Sequence, residues 1–315
     1  MKALWLENHQ LDLRKVPKPE KPGEALLRVR VAGICGTDLE LVKGYYPFTG
    51  VIGHEFVGEV VSTDDESWLG QRVVGDINVT CGHCEQCRNG RPTHCENRTV
   101  LGLIQRDGTF AEFTSLPIAN LHRVPASIPD EMAVFTEPLA AALEIQQQVH
   151  IQPTDRVLVV GAGRLGQLAA QTLALTGCDL HVVARHDSQR KLLTNRGIKL
   201  IEEEDIQPWR WDVVVEATGS PDGFSLARQA TRPRGTLVMK STYQGELSVN
   251  FSSIVVDEVT IVGSRCGPFE PALRLLESKV VDPSLLVTAA FELNEALRAF
   301  EHASQPGVLK VLITP

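Results

Sequence analysis

The sequence predicts an α/β protein in which a doubly wound parallel sheet accompanies a second, mainly β, barrel-like domain. Three observations carry this expectation. Residues 1 to about 136 read as short β segments broken by turn residues, and from about residue 137 apolar strands alternate with helix-length stretches. The third is the run Val157 to Val160, which turns through Gly161, Gly163 and Gly166 into a helical pattern over Gln167 to Thr176. A chain of 315 residues is long enough for two cores. The domains expected are 1–136, with 268–315 returning to it, and 137–267.

In the first domain the alternating patterns place strands at Ala3 to Leu6, Leu11 to Lys15, Ala25 to Val31, Phe56 to Ser62, Arg72 to Val74 and Phe110 to Leu116. Pro17, Pro19 and Pro22 keep the first linker extended. A rigid β scaffold leaves its loops free to carry function. In the second domain the strands expected are Val157 to Val160, Leu180 to Val183, Lys199 to Ile201, Val213 to Glu216, Thr236 to Met239 and Thr260 to Val262. A helix over Ser188 to Arg196 would be capped by Asp187 or Ser188. Beyond Gly267 follow helical patterns at Glu270 to Ser278 and Asn294 to Ala303, then a strand at Leu309 to Thr314.

A net charge of −8, with Lys and Arg spread thinly, argues against nucleic acid as a partner. The N-terminal stretch Met1 to Glu7 lacks a long apolar core and a small-residue cleavage site, and no apolar run approaches a bilayer span. The protein is therefore expected in the cytoplasm, without a membrane partner.

The glycine turn follows a buried-strand pattern and opens a helix, the context in which such a turn presents backbone N–H groups to a phosphate. Gly161 would permit the turn, Gly163 would let the backbone approach a pyrophosphate, and Gly166 would let helix and strand pack closely. Arg164 and Leu165 lie between them. The ligand of a doubly wound sheet sits at the carboxyl ends of its strands.

Four cysteines, Cys81, Cys84, Cys87 and Cys95, crowd into one short loop. Four thiolates close a tetrahedral zinc shell with no open position, which makes such a site structural. Two disulfides or free core thiols are the alternatives, disfavoured by the polar surroundings and a reducing compartment. His83 and His94 could each replace a cysteine as ligand. A second, dispersed set comprises Cys35, Gly53-His54-Glu55 and Thr136-Glu137-Pro138. Three ligands from separate segments, with a fourth place left for water or substrate, is how a catalytic zinc is held.

The segments Gly33-Ile34-Cys35-Gly36-Thr37-Asp38, Gly53-His54-Glu55, the four-cysteine loop, Glu137-Pro138-Leu139 and Gly161 to Gly166 stand in an order and spacing that resembles the zinc-dependent medium-chain alcohol dehydrogenases. The resemblance covers almost the whole chain. It is nearest the polyol, sugar and threonine dehydrogenase branch, where Glu-Pro-Leu replaces a cysteine-containing segment. It implies a GroES-like catalytic domain, a Rossmann coenzyme domain, two zinc ions per chain and a homodimer or homotetramer.

The resemblance further implies zinc bound by Cys35 and His54, with Glu55 or Glu137 completing the set. Asp38 would accept a hydrogen bond from the His54 ring and fix its tautomer. The Thr37 hydroxyl would take the substrate's proton. Some members of the family end that relay with histidine; here Glu40 stands at the corresponding position, and either its carboxylate or water would receive the proton.

Coenzyme choice depends on the turn after the second coenzyme strand, Val182-Val183-Ala184-Arg185-His186-Asp187. NAD-selective folds place Asp or Glu there to hold the ribose 2′-hydroxyl. That place falls on Ala184, followed by Arg185 and His186, with Arg190 close by, and a guanidinium suits a 2′-phosphate. NADP is therefore expected over NAD. Thr218, Ser241 with Thr242, and Arg265 with Cys266 fall at strand ends expected to approach the coenzyme. Tyr46, Phe48 and Phe110 are candidates for a substrate cleft.

The expected function is hydride transfer between NADP(H) and a secondary alcohol or ketone, with polyols or sugars favoured by the Glu137 type of site. A simple alcohol or aldehyde reductase, and a non-catalytic NADP-binding relative, are the alternatives. The loops at residues 45–50 and 104–110, which would set the substrate, have shapes that spacing does not fix.

Overall fold

The computed structural model describes residues 1–242 and 245–315. They form two compact units, Met1–Glu137 with Phe269–Pro315, and Pro138–Pro268. The seams fall one residue beyond the boundaries expected at 137 and 268.

The first unit is built on a seven-stranded sheet whose central strand, Glu24–Gly33, pairs antiparallel with Glu55–Ser62, Phe113–Pro117 and Lys310–Thr314. Along Glu24–Gly33 buried and solvent-facing residues alternate as far as Arg30, the period of a half-buried strand, and the last three residues are all buried. That change of pattern marks where the strand enters the core and delivers Cys35. The strand Lys310–Thr314 joins beside it through Leu312 opposite Gly33 and Ile313 opposite Ala32, so the end of the chain packs against residues that precede Cys35. Glu55 opens the neighbouring strand, directly opposite Gly33.

The strand expected to start at Phe110 starts at Phe113. Gly108, Thr109 and Phe110 instead give their N–H groups to Val51, Gly53 and Ile52 carbonyls at 2.7, 3.0 and 3.0 Å, which bends the chain away from the main sheet. Phe110 is thereby fully buried, edge-on to Phe300 at 5.6 Å. It packs the core, where burying a ring of this size stabilises by ~1.5–3 kcal/mol, and it does not line a cleft.

The second unit is a six-stranded, wholly parallel sheet. Across it the strands run Lys199–Leu200, Asp179–Val183, Arg156–Val160, Trp211–Glu216, Thr231–Met239 and Thr260–Gly263. This is the doubly wound order in which the chain reverses direction beside the first strand, and the reversal opens a crevice at the carboxyl ends. Val157 to Val160 are all buried, as a central strand covered on both faces requires. The helix after the glycine turn, Arg164–Ala174, starts earlier than Gln167 because Gly163 itself is its N-cap. The next helix, Asp187–Thr194, is preceded by His186, so neither Asp187 nor Ser188 caps it; Asp187 instead lies in its first turn, where the dipole favours a carboxylate.

Candidate metal centres and coenzyme cradle

The four-cysteine loop is short and polar, and two helical turns, Glu85–Arg88 and Pro92–His94, fold it back on itself. The sulphurs converge: Cys84 Sγ lies 3.5 Å from Cys87 Sγ and 3.8 Å from Cys95 Sγ, which lies 3.5 Å from Cys81 Sγ. A tetrahedral ion with bonds of ~2.3 Å needs sulphurs about 3.8 Å apart, whereas a disulfide needs about 2.05 Å. All four thiols are free. The backbone N–H of His83 pulls the Cys81 thiol down to about 6. Burial pushes the Cys87 thiol up to about 12, assisted by the neighbouring thiols. Four sulphurs at this spacing match the edges of a tetrahedral thiolate shell, so the donor set fits zinc. His83 turns its ring toward the Cys81 carbonyl, Nδ1 to O 2.7 Å, and neither it nor His94 joins the cluster of ligand atoms. Asn97, which the sequence did not single out, directs Nδ2 at Cys81 Sγ from 3.8 Å.

The second centre forms where three segments of the first unit meet. Cys35 caps the helix Gly36–Val42, and Asp38 Oδ2 accepts the Cys35 N–H at 2.8 Å. One ligand atom each from Cys35, His54 and Glu55 lie within 4.8 Å of one another. Asp38, His54 and Glu55 are buried. His54 Nδ1 approaches Asp38 Oδ1 to 3.2 Å, but both atoms lack an aligned hydrogen-bond partner. Burial works against the His54 charge, yet Asp38 and Cys35 outweigh it and hold the ring well above the usual histidine range. A half-buried thiol drawn together with a buried imidazole and a buried carboxylate fits a divalent ion that would displace the proton.

Thr37 Oγ1 stands 3.7 Å from Cys35 Sγ. Glu40 is held by Lys43, Oε1 to Nζ 2.7 Å. Glu137 lies outside the 4.8 Å set among the described residues. It is close enough for His54, Glu55 and Lys310 to act on it, and burial above all pushes its carboxyl up to about 7. Lys310 was not anticipated. It is 1% exposed, pairs with Glu55 Oε2, reaches toward the Ile34 carbonyl at 3.4 Å and lies over the Phe135 ring at 5.5 Å. Its signal in the sequence is a lone charge in the apolar run Val308 to Ile313. Tyr46 is exposed.

In the second unit, Gly161 adopts φ +103°, and a Cβ there would meet Thr218 Cγ2 at 2.8 Å. A Cβ on Gly166 would lie 2.0 Å from the Gly161 carbonyl oxygen, so helix and strand touch through this glycine. Gly163 has open space where its side chain would be, over the first N–H groups of the helix that begins with Arg164 and Leu165. This is the cradle a pyrophosphate requires. Buried Gln167 braces the turn, donating to the carbonyls of Ala162 and Gln189 at 3.3 and 3.0 Å.

At the next strand ends, buried Glu216 accepts the N–H and hydroxyl of Thr218 at 2.6 and 2.5 Å, and Ser241 Oγ accepts the Gly219 N–H at 2.9 Å. Thr218 and Ser241 are thus brought to one ledge. Buried Lys240 donates to the Ala141 carbonyl at 2.7 Å and to Ser264 Oγ at 3.2 Å, beside Arg265, whose Nη1 is 3.4 Å from Cys266 Sγ. Neither Glu216 nor Lys240 was expected; each is a charge closing an apolar strand. Ala184, Arg185 and Arg190 line one recess with Val183, Glu202, Glu203 and Glu204. His186 is exposed at the start of the helix above it.

The alcohol dehydrogenase GroES-like domain matches residues 21–126, and the zinc-binding dehydrogenase domain matches residues 165–278. Sorbitol dehydrogenase of Halalkalibacterium halodurans is 30% identical over 343 aligned positions, covering 100% of this chain and 99% of that protein. The chain belongs to the zinc-dependent medium-chain alcohol dehydrogenases. Within this family L-threonine 3-dehydrogenase of Shewanella frigidimarina is 31% identical, over 90% of each chain, which places the protein with the polyol and threonine branch. Among solved structures, a Sinorhizobium meliloti 1021 protein bound to NADP superposes with a TM-score of 0.91 at 29% identity, over 100% of this chain and 99% of that one. RspB of E. coli CFT073, solved with NADH, gives a TM-score of 0.88 at 27% identity over 100% and 99%. The protein is an oxidoreductase of the alcohol dehydrogenase type. Among the described residues, no helix is long and apolar enough to cross a membrane.

Proposed function

We propose that this protein transfers hydride between NADP(H) and a secondary alcohol or its ketone, with a polyol or sugar as substrate. The observation that carries this reading is the convergence of half-buried Cys35 with buried His54 and Glu55 within 4.8 Å. Met1–Glu137 with Phe269–Pro315 serves as the catalytic domain and Pro138–Pro268 as the coenzyme domain.

Cys35, His54 and Glu55 would hold the catalytic zinc, with Glu137 as the exchanging carboxylate; the four cysteines would hold a structural one. When bound, the catalytic ion supplies Lewis acidity toward the substrate oxygen. Asp38 orients the His54 ring. Lys310 neutralises Glu55 and limits its movement. A bound nicotinamide would supply the hydride acceptor, and Thr37 Oγ1 would take the proton of the substrate hydroxyl and pass it outward. Because Glu40 is engaged by Lys43, water rather than Glu40 is the better receiver. The turn at Gly161, Gly163, Arg164, Leu165 and Gly166 binds the pyrophosphate. Thr218, Ser241 and Arg265 flank the rest of the coenzyme, and Arg185 and Arg190 favour a 2′-phosphate.

Metal analysis together with a polyol, sugar and simple-alcohol panel, run with each coenzyme, tests the reading. Two zinc ions per chain with turnover of a polyol and a lower KM for NADP are expected. Tight coenzyme binding without turnover of any alcohol would instead identify a non-catalytic relative.

We further infer a homodimer or homotetramer in the cytoplasm. Phe251, Val255 and Val256 are 70, 63 and 79% exposed, next to the edge strand Thr260–Gly263 with Ile261 at 42%, an apolar surface that a second copy would cover. Seven free thiols suit a reducing compartment. Light scattering on the purified protein tests the assembly, and a monomer at micromolar concentration would overturn it.

A further inference from the structure

We infer that Glu202 and Glu203 tune coenzyme choice, by competing with the coenzyme's 2′-phosphate for the guanidiniums of Arg185 and Arg190. The inference rests on the reading above in one respect, that the adenosine ribose sits at the end of the strand Asp179–Val183.

Both arginines expected to meet the phosphate are already engaged. Arg185 binds Glu203 with two nitrogens, Nε to Oε1 at 2.7 Å and Nη2 to Oε2 at 3.4 Å. Arg190 grips Glu202 in the same two-pronged way, with Nη1 to Oε2 at 3.1 Å and Nη2 to Oε1. Arg190 Nη1 also donates to the Ala184 carbonyl at 3.0 Å, which ties this guanidinium to the strand end. The carboxylates therefore occupy the geometry in which a phosphate would be received, since both anions accept a guanidinium fork.

Charge adds to the competition. The recess, of ≈ 240 Å³, is lined by two arginines and three glutamates, Glu202 to Glu204, and Asp222 and Asp187 act on Arg185 and Arg190 from outside it. A 2′-phosphate carries close to two negative charges at neutral pH. It would arrive at a surface whose lining already has one excess negative charge. A 2′-hydroxyl meets no such opposition. The ion pairs themselves are weakly held, because the side chains of Arg185, Glu203 and Glu202 are 66, 39 and 47% exposed. They are thus replaceable latches: they persist when the ribose carries a hydroxyl and must open when it carries a phosphate.

Titration calorimetry on the full chain with adenosine 2′,5′-bisphosphate and with 5′-AMP reads this directly, without turnover. In an E202Q/E203Q variant, affinity for the bisphosphate is expected to rise about tenfold at low ionic strength, while that for 5′-AMP changes less than about twofold. The gain should shrink with added salt, as screening weakens exposed charges, and vanish when R185A and R190A are added. An unchanged ratio between the two probes, an equal gain for both, or a gain that survives loss of the arginines would overturn the inference. A wild-type chain that prefers 5′-AMP would overturn the NADP preference alone, because the inference concerns the change of ratio between variants.

Discussion

Replacing Lys310 by methionine removes the ammonium that pairs with Glu55 in the candidate catalytic centre. The Lys310 and Glu55 side chains are 2 and 1% exposed, so removing the ammonium takes the paired charge from a shielded carboxylate that has Glu137 as a like-charged neighbour and His54 within 4.8 Å. Breaking such a pair from one side costs ~3–5 kcal/mol, whereas replacing both partners by neutral groups of similar size is far cheaper. Metal-stripped K310M should therefore lose about 3–5 kcal/mol in the first unit. At a urea dependence of roughly 2 kcal/mol per molar this is a midpoint shift of about 1.5–2.5 M. The K310M/E55Q double variant should regain most of the loss. The assay is urea titration of chelated protein by circular dichroism, with the transitions of the two units fitted separately. Zinc added back to K310M should recover part of the shift, since the ion supplies the missing positive charge. If K310M costs less than about 1 kcal/mol, or the double variant is as weak as the sum of the singles, Lys310 does not balance Glu55 and the reasoning fails.

Serine at Cys84 removes one of four sulphurs, and bound zinc measured by mass spectrometry should fall from two ions per chain to one; two ions retained would show that the loop is not the second site. Alanine at Gly166 would place its Cβ 2.0 Å from the Gly161 carbonyl oxygen. It should lower the melting temperature and cost at least tenfold in coenzyme affinity, and unchanged affinity would contradict the cradle. Burial works against the Glu24 charge, but hydrogen bonds from Arg106 and Ser115 outweigh it and hold the carboxyl below the ordinary range. A depressed folded value means that this stabilisation is present above the unfolded-state value and lost as pH falls through the folded one. E24Q should accordingly be less stable than wild type at pH 7, by a margin that narrows in acid; a constant margin in urea titrations would remove the linkage.

The parallel sheet was legible because its central strands carry the apolar runs Val157 to Val160 and Val213 to Val215, and because a strand, three spaced glycines and a helix follow one another. The candidate structural metal loop was legible for a related reason, since four thiols in a short polar loop have few structural uses. What escaped notice depends on contacts between segments remote in sequence. Lys310 pairs with Glu55 across 255 residues, and its one local signal, a lone charge in an apolar run, does not name that partner. The arginines after Val183 were visible, but the glutamates that hold them come from the turn beyond the third strand and became relevant only when the strands were laid side by side. Phe110 illustrates the reverse error: its β-like pattern is genuine, yet backbone pairing with Ile52 redirects it into the core.

The separation between Glu55 and Lys310 has a consequence for biosynthesis. At translation rates of about 5–20 residues per second, the 255 positions between them correspond to roughly 13–50 s during which Cys35, His54 and Glu55 have been made but their lysine has not. Throughout that interval a nascent chain offers a thiol, an imidazole and an unbalanced carboxylate to any passing divalent ion. Glu55 meets its cation only when the strand Lys310–Thr314 has been made, so the charge balance of this centre is completed late in synthesis.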